Sequence, residues 1–325
     1  MRFVLRRLLL FVVALLAISV VVFAMLRILP GDVAAVMAGV NSPPERVAQL
    51  RAELGLDRPL VVQYLDWCAN LLHGDLGASM LTGRSVSEQV GVRAAITFPL
   101  IAFGLLIALV IGIPLGCAAT LARGHRARAA YRLISIIGGA IPALWSGMLL
   151  ILLFGRGVGL VGILPSQGFP AAGWGAPVQA LTSLVLPALS VGIIVGAGLM
   201  RYTRSALGEL AASGYIEMAM SCGMTRTQAV LQVGLRLAMP QMVSVVGLTF
   251  AEMITGVMVI ENLFALPGLG TGLVTDVGNR DLIAVQGELF MLAAFFLLIG
   301  LLVDLAHRAL DPRLKASIGG NEVSA

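Results

Sequence analysis

The sequence predicts an all-α polytopic membrane protein with six transmembrane helices and both termini cytoplasmic. Composition is the first observation behind this. Hydrophobic residues make up 58% of the 325 residues and charged residues 12%, half of the ~25% that a soluble domain carries. The second is a set of apolar runs, each close to the ~20 residues that cross a bilayer. The third is the placement of basic residues. Of the 22, 14 fall in the N-terminus, the loops after the second and fourth runs, and the C-terminus, which marks those parts as cytoplasmic. A disordered chain, a disulfide-rich module and an ordinary cytosolic enzyme are excluded. The net charge of +5 comes from arginines scattered between apolar runs, with Lys315 the sole lysine, so topology rather than nucleic acid accounts for it.

The first span is Leu8–Leu26, 19 residues without a charge. A basic start followed by an apolar run also describes a secretory signal. This run is longer than a signal core, and Arg27-Ile28-Leu29-Pro30 is a poor cleavage site, so an uncleaved helix is expected. Next comes an outer segment, 31–95. Within it Ser42-Pro43-Pro44-Glu45 predicts a capped helix running to about Leu54 with Gly55 as its stop. Asp57 is expected to cap a second helix from about Pro59, on which Leu60, Tyr64, Leu65, Cys68, Leu71 and Leu72 recur at helical spacing. That face either packs on the spans or lies at the membrane interface, and its poverty in basic residues favours packing.

Residues 96–325 form a core of five further spans: Ile96–Leu121, Leu133–Gly155, Pro177–Met200, Leu237–Ile260 and Leu282–Val303. Pro114, Pro142 and Pro187 predict kinks in the second to fourth spans. Between the fourth and fifth, at about 202–239, the pattern gives a cytoplasmic helical hairpin. Ala206–Cys222 reads as helix, Gly223 as its stop, and Thr225-Arg226-Thr227-Gln228 as a capping box. Two readings fit this hairpin: a membrane-surface element without a partner, or a docking knob for a soluble protein.

Several chemistries are absent. Lys315 is followed by Ala316, so no phosphate-cradling G-x-x-x-x-G-K-[ST] loop exists, and any ATPase must be a separate subunit. Gly157-Val158-Gly159-Leu160-Val161-Gly162 matches a dinucleotide motif but has no strand before it. The three histidines are far apart, and Cys68, Cys117 and Cys222 form no CxxC pair, so no metal site and no catalytic residue is assigned. What remains are two carboxylates inside spans, Glu252 and Glu288. Gln241, Ser244, Glu252 and Thr255 fall within an arc of about 80° on the fifth span. Such a stripe faces a protein interior or a watery path; a buried glutamate bonded to a neighbouring helix is the other reading. Glu288 lies nearer the outer end of the sixth span, where an interfacial acid is expected.

Taken together, the residues resemble those of an inner-membrane permease subunit of the peptide-type ATP-binding cassette importers, the dipeptide, oligopeptide and nickel group. The likeness runs through Arg6-Arg7-Leu8-Leu9, Leu26-Arg27-Ile28-Leu29-Pro30-Gly31-Asp32, Leu54-Gly55-Leu56-Asp57-Arg58-Pro59-Leu60 and Gly74-Asp75-Leu76-Gly77. It continues through Glu261-Asn262-Leu263-Phe264, Pro267-Gly268-Leu269-Gly270, Leu302-Val303-Asp304-Leu305 and Leu310-Asp311-Pro312-Arg313. The family's E-A-A-x-x-x-G element appears as Glu217, Met218, Ala219 and, after the three residues, Gly223, with Met218 in place of the middle alanine and Pro240 closing the element. The resemblance implies that this hairpin couples to an ATPase. It also implies a second permease subunit, two ATPase subunits carrying ATP and magnesium, an external substrate-binding protein received by 31–95, and no cofactor on this chain. A pathway for peptides or similar small solutes is then expected at the interface of the two permeases. An ion- or proton-coupled secondary transporter using Glu252 is the alternative, and no repeat of the first three spans in the last three supports it.

Overall fold

The structure is a computed structural model, and it describes residues 2–28, 34, 38, 42–53 and 55–310. The Asp311-Pro312-Arg313 motif, Lys315 and most of the stretch Leu29–Asn41 lie outside the described residues. The elements are α1 (Arg2–Ile28), α2 (Pro44–Glu53), α3 (Leu60–Leu72), α4 (Val86–Leu121), α5 (His125–Ala140), α6 (Ala143–Phe154), α7 (Pro177–Ala211), α8 (Gly214–Ser221), α9 (Arg226–Leu263), α10 (Leu269–Gly278) and α11 (Leu282–Leu310). Among the described residues the only β pairing is two isolated bridges, Ala78 with Ser85 and Gly155 with Leu164. Helices α1, α4, α7, α9 and α11 are each long and apolar enough to cross a bilayer.

The expected span Leu133–Gly155 is not one helix. α5 and α6 meet at a bend of 102° around Ile141-Pro142. Pro142 has no N–H and forces the residue before it out of the helical region, and Ile141 accordingly sits at φ −74°, ψ 121°. Pro114 and Pro187, by contrast, stay inside continuous helices. Each stands at least seven residues from its nearest helix end and is tolerated because neighbouring helices hold the chain in place; Pro142 instead becomes the N-cap of α6.

The chain divides into two compact units. The first comprises Met1–Thr97 and Pro267–Leu298. Here Gly55 ends α2 as expected, at φ +64°, with Leu56 N–H bonded to the Arg51 carbonyl at 2.9 Å. The two predicted caps are not used. Ser42 donates its hydroxyl to the Ala38 carbonyl, and the first acceptor of α2 is the Pro43 carbonyl, which takes the Arg46 N–H at 3.0 Å. α3 starts from Pro59 without a side-chain cap, so Asp57 stands too far upstream. α3 packs through Tyr64 and Trp67: their rings lie 5.4 and 6.1 Å from Phe23 of α1, and Trp67 meets Phe290 of α11 edge-on at 5.7 Å. Tyr64 also shares a 2.8 Å hydrogen bond with Ser19. Leu60, Leu65 and Leu72, expected on the same face, are exposed.

The second unit comprises Phe98–Leu266 and Ile299–Ala325. Its core is a close approach of α4 and α7 made by small residues. Gly104, Ala108, Gly112 and Gly116 recur every fourth residue on α4, so they form one stripe. A Cβ at Gly112 would stand 2.7 Å from the Gly196 carbonyl oxygen, and one at Gly192 would stand 2.9 Å from the Gly104 carbonyl oxygen. Backbones in such proximity leave room only for glycine, and in lipid this packing replaces the hydrophobic drive that water supplies. Gly112→Val is therefore expected to destabilise the fold by about 1–3 kcal/mol through overpacking. Gly198→Val serves as control, because nothing lies within 4 Å of a Cβ there. Thermal unfolding in detergent, read as loss of the monodisperse peak, compares the two; equal midpoints would refute the role of the stripe.

Candidate functional site

The hairpin between α7 and α9 is built from short pieces. α7 ends at Ala211, and Ser213 in extended conformation (φ −92°, ψ 155°) starts α8, so the expected single helix Ala206–Cys222 is broken at Ala212-Ser213. The local Ala-Ser-Gly run weakens the helix where the chain must turn. α8 ends at Gly223, whose φ of +93° favours a residue without a Cβ; Met224 N–H then bonds back to the Ala219 carbonyl. The capping box is formed in full: Gln228 N–H donates to Thr225 Oγ1, and Thr225 N–H donates to Gln228 Oε1 at 2.9 Å.

One residue anchors the knob. Ile216 is buried against Ala229 and Val230, with Leu121, Met224 and Val233 around them. The rest of α8 faces outward: Glu217 is exposed, Met218 is 70% exposed, and Tyr215 and Met220 are also open. Ala219 is half-buried. A single buried side chain under an exposed apolar surface suits a small rigid projection. Pro240 does not close this element. It lies within α9, whose first turns include a π-helical stretch, Ala229–Gly234, before regular α-helix resumes.

Along the same α9, Gln241, Ser244, Glu252 and Thr255 are all exposed and share one face, opposite buried Met242, Phe250, Met253 and Val257. The helical period thus brings the predicted stripe together. Leu248 and Val259 complete it, so the stripe is amphipathic rather than purely polar. Glu252 makes no hydrogen bond or ion pair within the described chain, which removes the reading of a glutamate buried against a neighbouring helix of the same subunit. At its Pro240 end the stripe is tied to α11: Ser244 Oγ and His307 Nε2 are 3.1 Å apart.

Glu288 is the chief correction. It is not an interfacial acid but completely buried, and it pairs with Arg93 of α4. Arg93 also reaches Asp276 of α10 at 2.5 Å. Nearby Asp281, likewise buried, accepts from Ser79 Oγ and the Met80 N–H. Sequence reasoning missed Arg93, Asp276 and Asp281. The one available signal was the cost of leaving Glu288 unpaired in an apolar setting, which calls for a cation in its vicinity. Gly272 makes room for the cluster, since a Cβ there would stand 2.6 Å from the Arg93 guanidinium.

Long apolar helices, a projecting helical knob and an outward polar stripe on the helix that follows it define a polytopic membrane transport component. The chain belongs to the family of binding-protein-dependent transport system inner membrane components: the family model matches residues 112–316, and its N-terminal counterpart matches 1–96. It is an importer permease of the ATP-binding cassette type. It is 35% identical to the dipeptide transport system permease protein DppB of Escherichia coli (strain K12), over 97% of this chain and 99% of that one. It is 34% identical to a putative peptide transport system permease protein of Brucella abortus (strain 2308), covering 93% and 95%. The glutathione transport system permease protein GsiC of Salmonella choleraesuis is 34% identical, covering 97% and 99%. Among solved structures, an inward-facing MetNI methionine ABC transporter superposes with a TM-score of 0.52 at 21% identity, covering 66% of this chain and 93% of that one, a likeness of fold.

Proposed function

We propose that this chain forms half of a translocation pathway for peptides or peptide-like solutes and couples it to separate ATPase subunits. One observation carries the reading: the second helix of the knob runs on without a break into the helix that bears the polar stripe. α9 starts at the Thr225 capping box and bears Gln241, Ser244, Glu252 and Thr255 further along. A push on Glu217, Met218, Ala219 and Gly223 is then delivered to the stripe as a rigid-body shift. The π-helical stretch Ala229–Gly234 lies between the two and is the natural place for the helix to adjust.

The open stripe calls for a second, homologous permease subunit across it. Two ATPase subunits, carrying ATP and magnesium, seat on the knobs, and an external binding protein delivers the solute on the face that bears 31–95. Counting the bent pair α5–α6 as one span gives six, with both termini in the cytoplasm of a bacterium and the chain in its inner membrane. No cofactor is held by this chain. Dipeptides and glutathione, the solutes of the relatives, share a free α-amino group, and a carboxylate at Glu252 offers that group a charged partner.

Uptake into proteoliposomes containing the complete transporter tests this. ATP-driven uptake of a dipeptide is expected, and Glu252→Gln should lower it about tenfold, the value of one charge-assisted hydrogen bond. An N-acetylated peptide should be indifferent to the change. Uptake by this chain alone, driven by a proton gradient without ATPase, would overturn the reading and favour a secondary transporter.

A further inference from the structure

A cavity of about 270 Å³ opens in the first unit, beside α1, α3 and α11. Its wall is formed in part by Phe23 and Trp67 and in part by polar groups that have not found partners. The Arg27 guanidinium stacks over Phe23 at 5.1 Å, and among the described residues no carboxylate pairs with it. Gln286 is buried, and its amide nitrogen makes no hydrogen bond. Arg27 and Gln286 both line the cavity, and their unpaired donors favour an acceptor of negative charge beside them, because an unsatisfied buried donor costs about 1–3 kcal/mol. Across the cavity stand two carboxylates, Asp66 and Asp75. They are already engaged, Asp66 with Arg58 at 3.0 Å and Asp75 with the Gly77 N–H at 2.8 Å, but each keeps lone pairs for a cation.

The position of α3 says which ligand carries these charges. Its polar residues Gln63, Asp66 and Asn70 line the cavity. Its apolar residues Val61, Leu65 and Leu72 are 69%, 59% and 88% exposed, and they stand within about 40° of one another around the helix. In water that arrangement is inside out. At the boundary of a bilayer it is the stable one, with leucines toward acyl chains and tyrosine and tryptophan at headgroup level. Arg27 fixes the depth, since it follows the apolar span Phe3–Met25 by two residues. Exposed Val20, Val21 and Met25 of α1 continue the apolar surface below it.

We infer that this cavity binds the headgroup of a membrane aminophospholipid, its phosphodiester on Arg27 and Gln286, its ammonium toward Asp66 and Asp75, and its acyl chains along α1 and the exposed side of α3. The inference is independent of the solute carried, so its failure leaves the transport reading intact.

The test uses the complete transporter purified in detergent, with bound lipid counted by native mass spectrometry. About one phosphatidylethanolamine per copy should survive exhaustive detergent exchange. Arg27→Gln and, separately, Gln286→Leu should each reduce retention at least fivefold, and Arg27→Lys should restore most of it. Exchange into phosphatidylcholine, whose quaternary ammonium cannot donate hydrogen bonds to Asp66 or Asp75, should also lower retention. Equal retention by the wild type and both variants would overturn the proposal. So would displacement of the lipid by millimolar inorganic phosphate, which would assign the site to a free anion. Cross-linking of a cysteine at Val61 to the binding protein rather than to a photoactivatable lipid would overturn it as well.

Discussion

Exchange of Arg93 for leucine is expected to cost the protein about 3–5 kcal/mol, enough to prevent accumulation of folded protein in the membrane. The cause is not the loss of an attractive pair but what the loss leaves behind. Glu288 is fully buried and Asp276 nearly so, and both lean on the same guanidinium. Without it, two carboxylates face each other in an apolar setting with no compensating charge. Breaking such a set from one side is far more harmful than replacing all of it by hydrophobic groups of similar size. The triple variant Arg93→Leu, Asp276→Leu, Glu288→Leu should therefore recover much of the loss. Thermal unfolding read by a thiol-reactive dye, in a Cys68→Ser, Cys222→Ser background that leaves buried Cys117 as the reporter, gives the midpoints. A single variant as stable as the wild type would show that the cluster is dispensable.

Met218→Asp is expected to abolish transport by at least about thirtyfold while leaving the fold intact, the size of effect that a central apolar contact carries at an interface. Met218 is 70% exposed and is not part of the knob's buried anchor, so the substitution places a charge on the proposed docking surface without disturbing Ile216 or Val230. ATP hydrolysis by the partner subunits should persist but lose its response to loaded binding protein. Gly223→Val acts by a different route: nothing lies within 4 Å of a Cβ there, yet φ +93° is strained for any β-branched residue. That variant should show the same uncoupling with a modest loss of stability. Transport at wild-type rates in both variants would remove the knob from the coupling path.

Much of this was legible along the chain. Apolar runs located five of the long helices, because a span must satisfy its backbone internally and bury its length in lipid. The Gly55 and Gly223 stops and the Thr225–Gln228 box are local devices, complete within a few residues. The stripe Gln241, Ser244, Glu252 and Thr255 needed only the helical period to be seen on one face. The caps at Ser42 and Asp57 were misread because one or two residues of register decide which carbonyl opens a helix, and prolines at both sites moved that start downstream.

The sequence by itself determined what each segment must be: helix, span, turn or stop. Those properties depend on side chains within one or two turns of one another. Only the tertiary structure decided which segments meet. Arg93 finds Asp276 and Glu288 across separations of 183 and 195 residues, a pairing no periodicity encodes. The glycine stripe of α4 becomes meaningful only once the Gly196 carbonyl is placed against it. Whether Pro142 bends a helix or breaks it depended likewise on the packing of the pieces at either side. Local energies write the elements; the partners of buried charge and of missing side chains are settled only when distant elements share one interior.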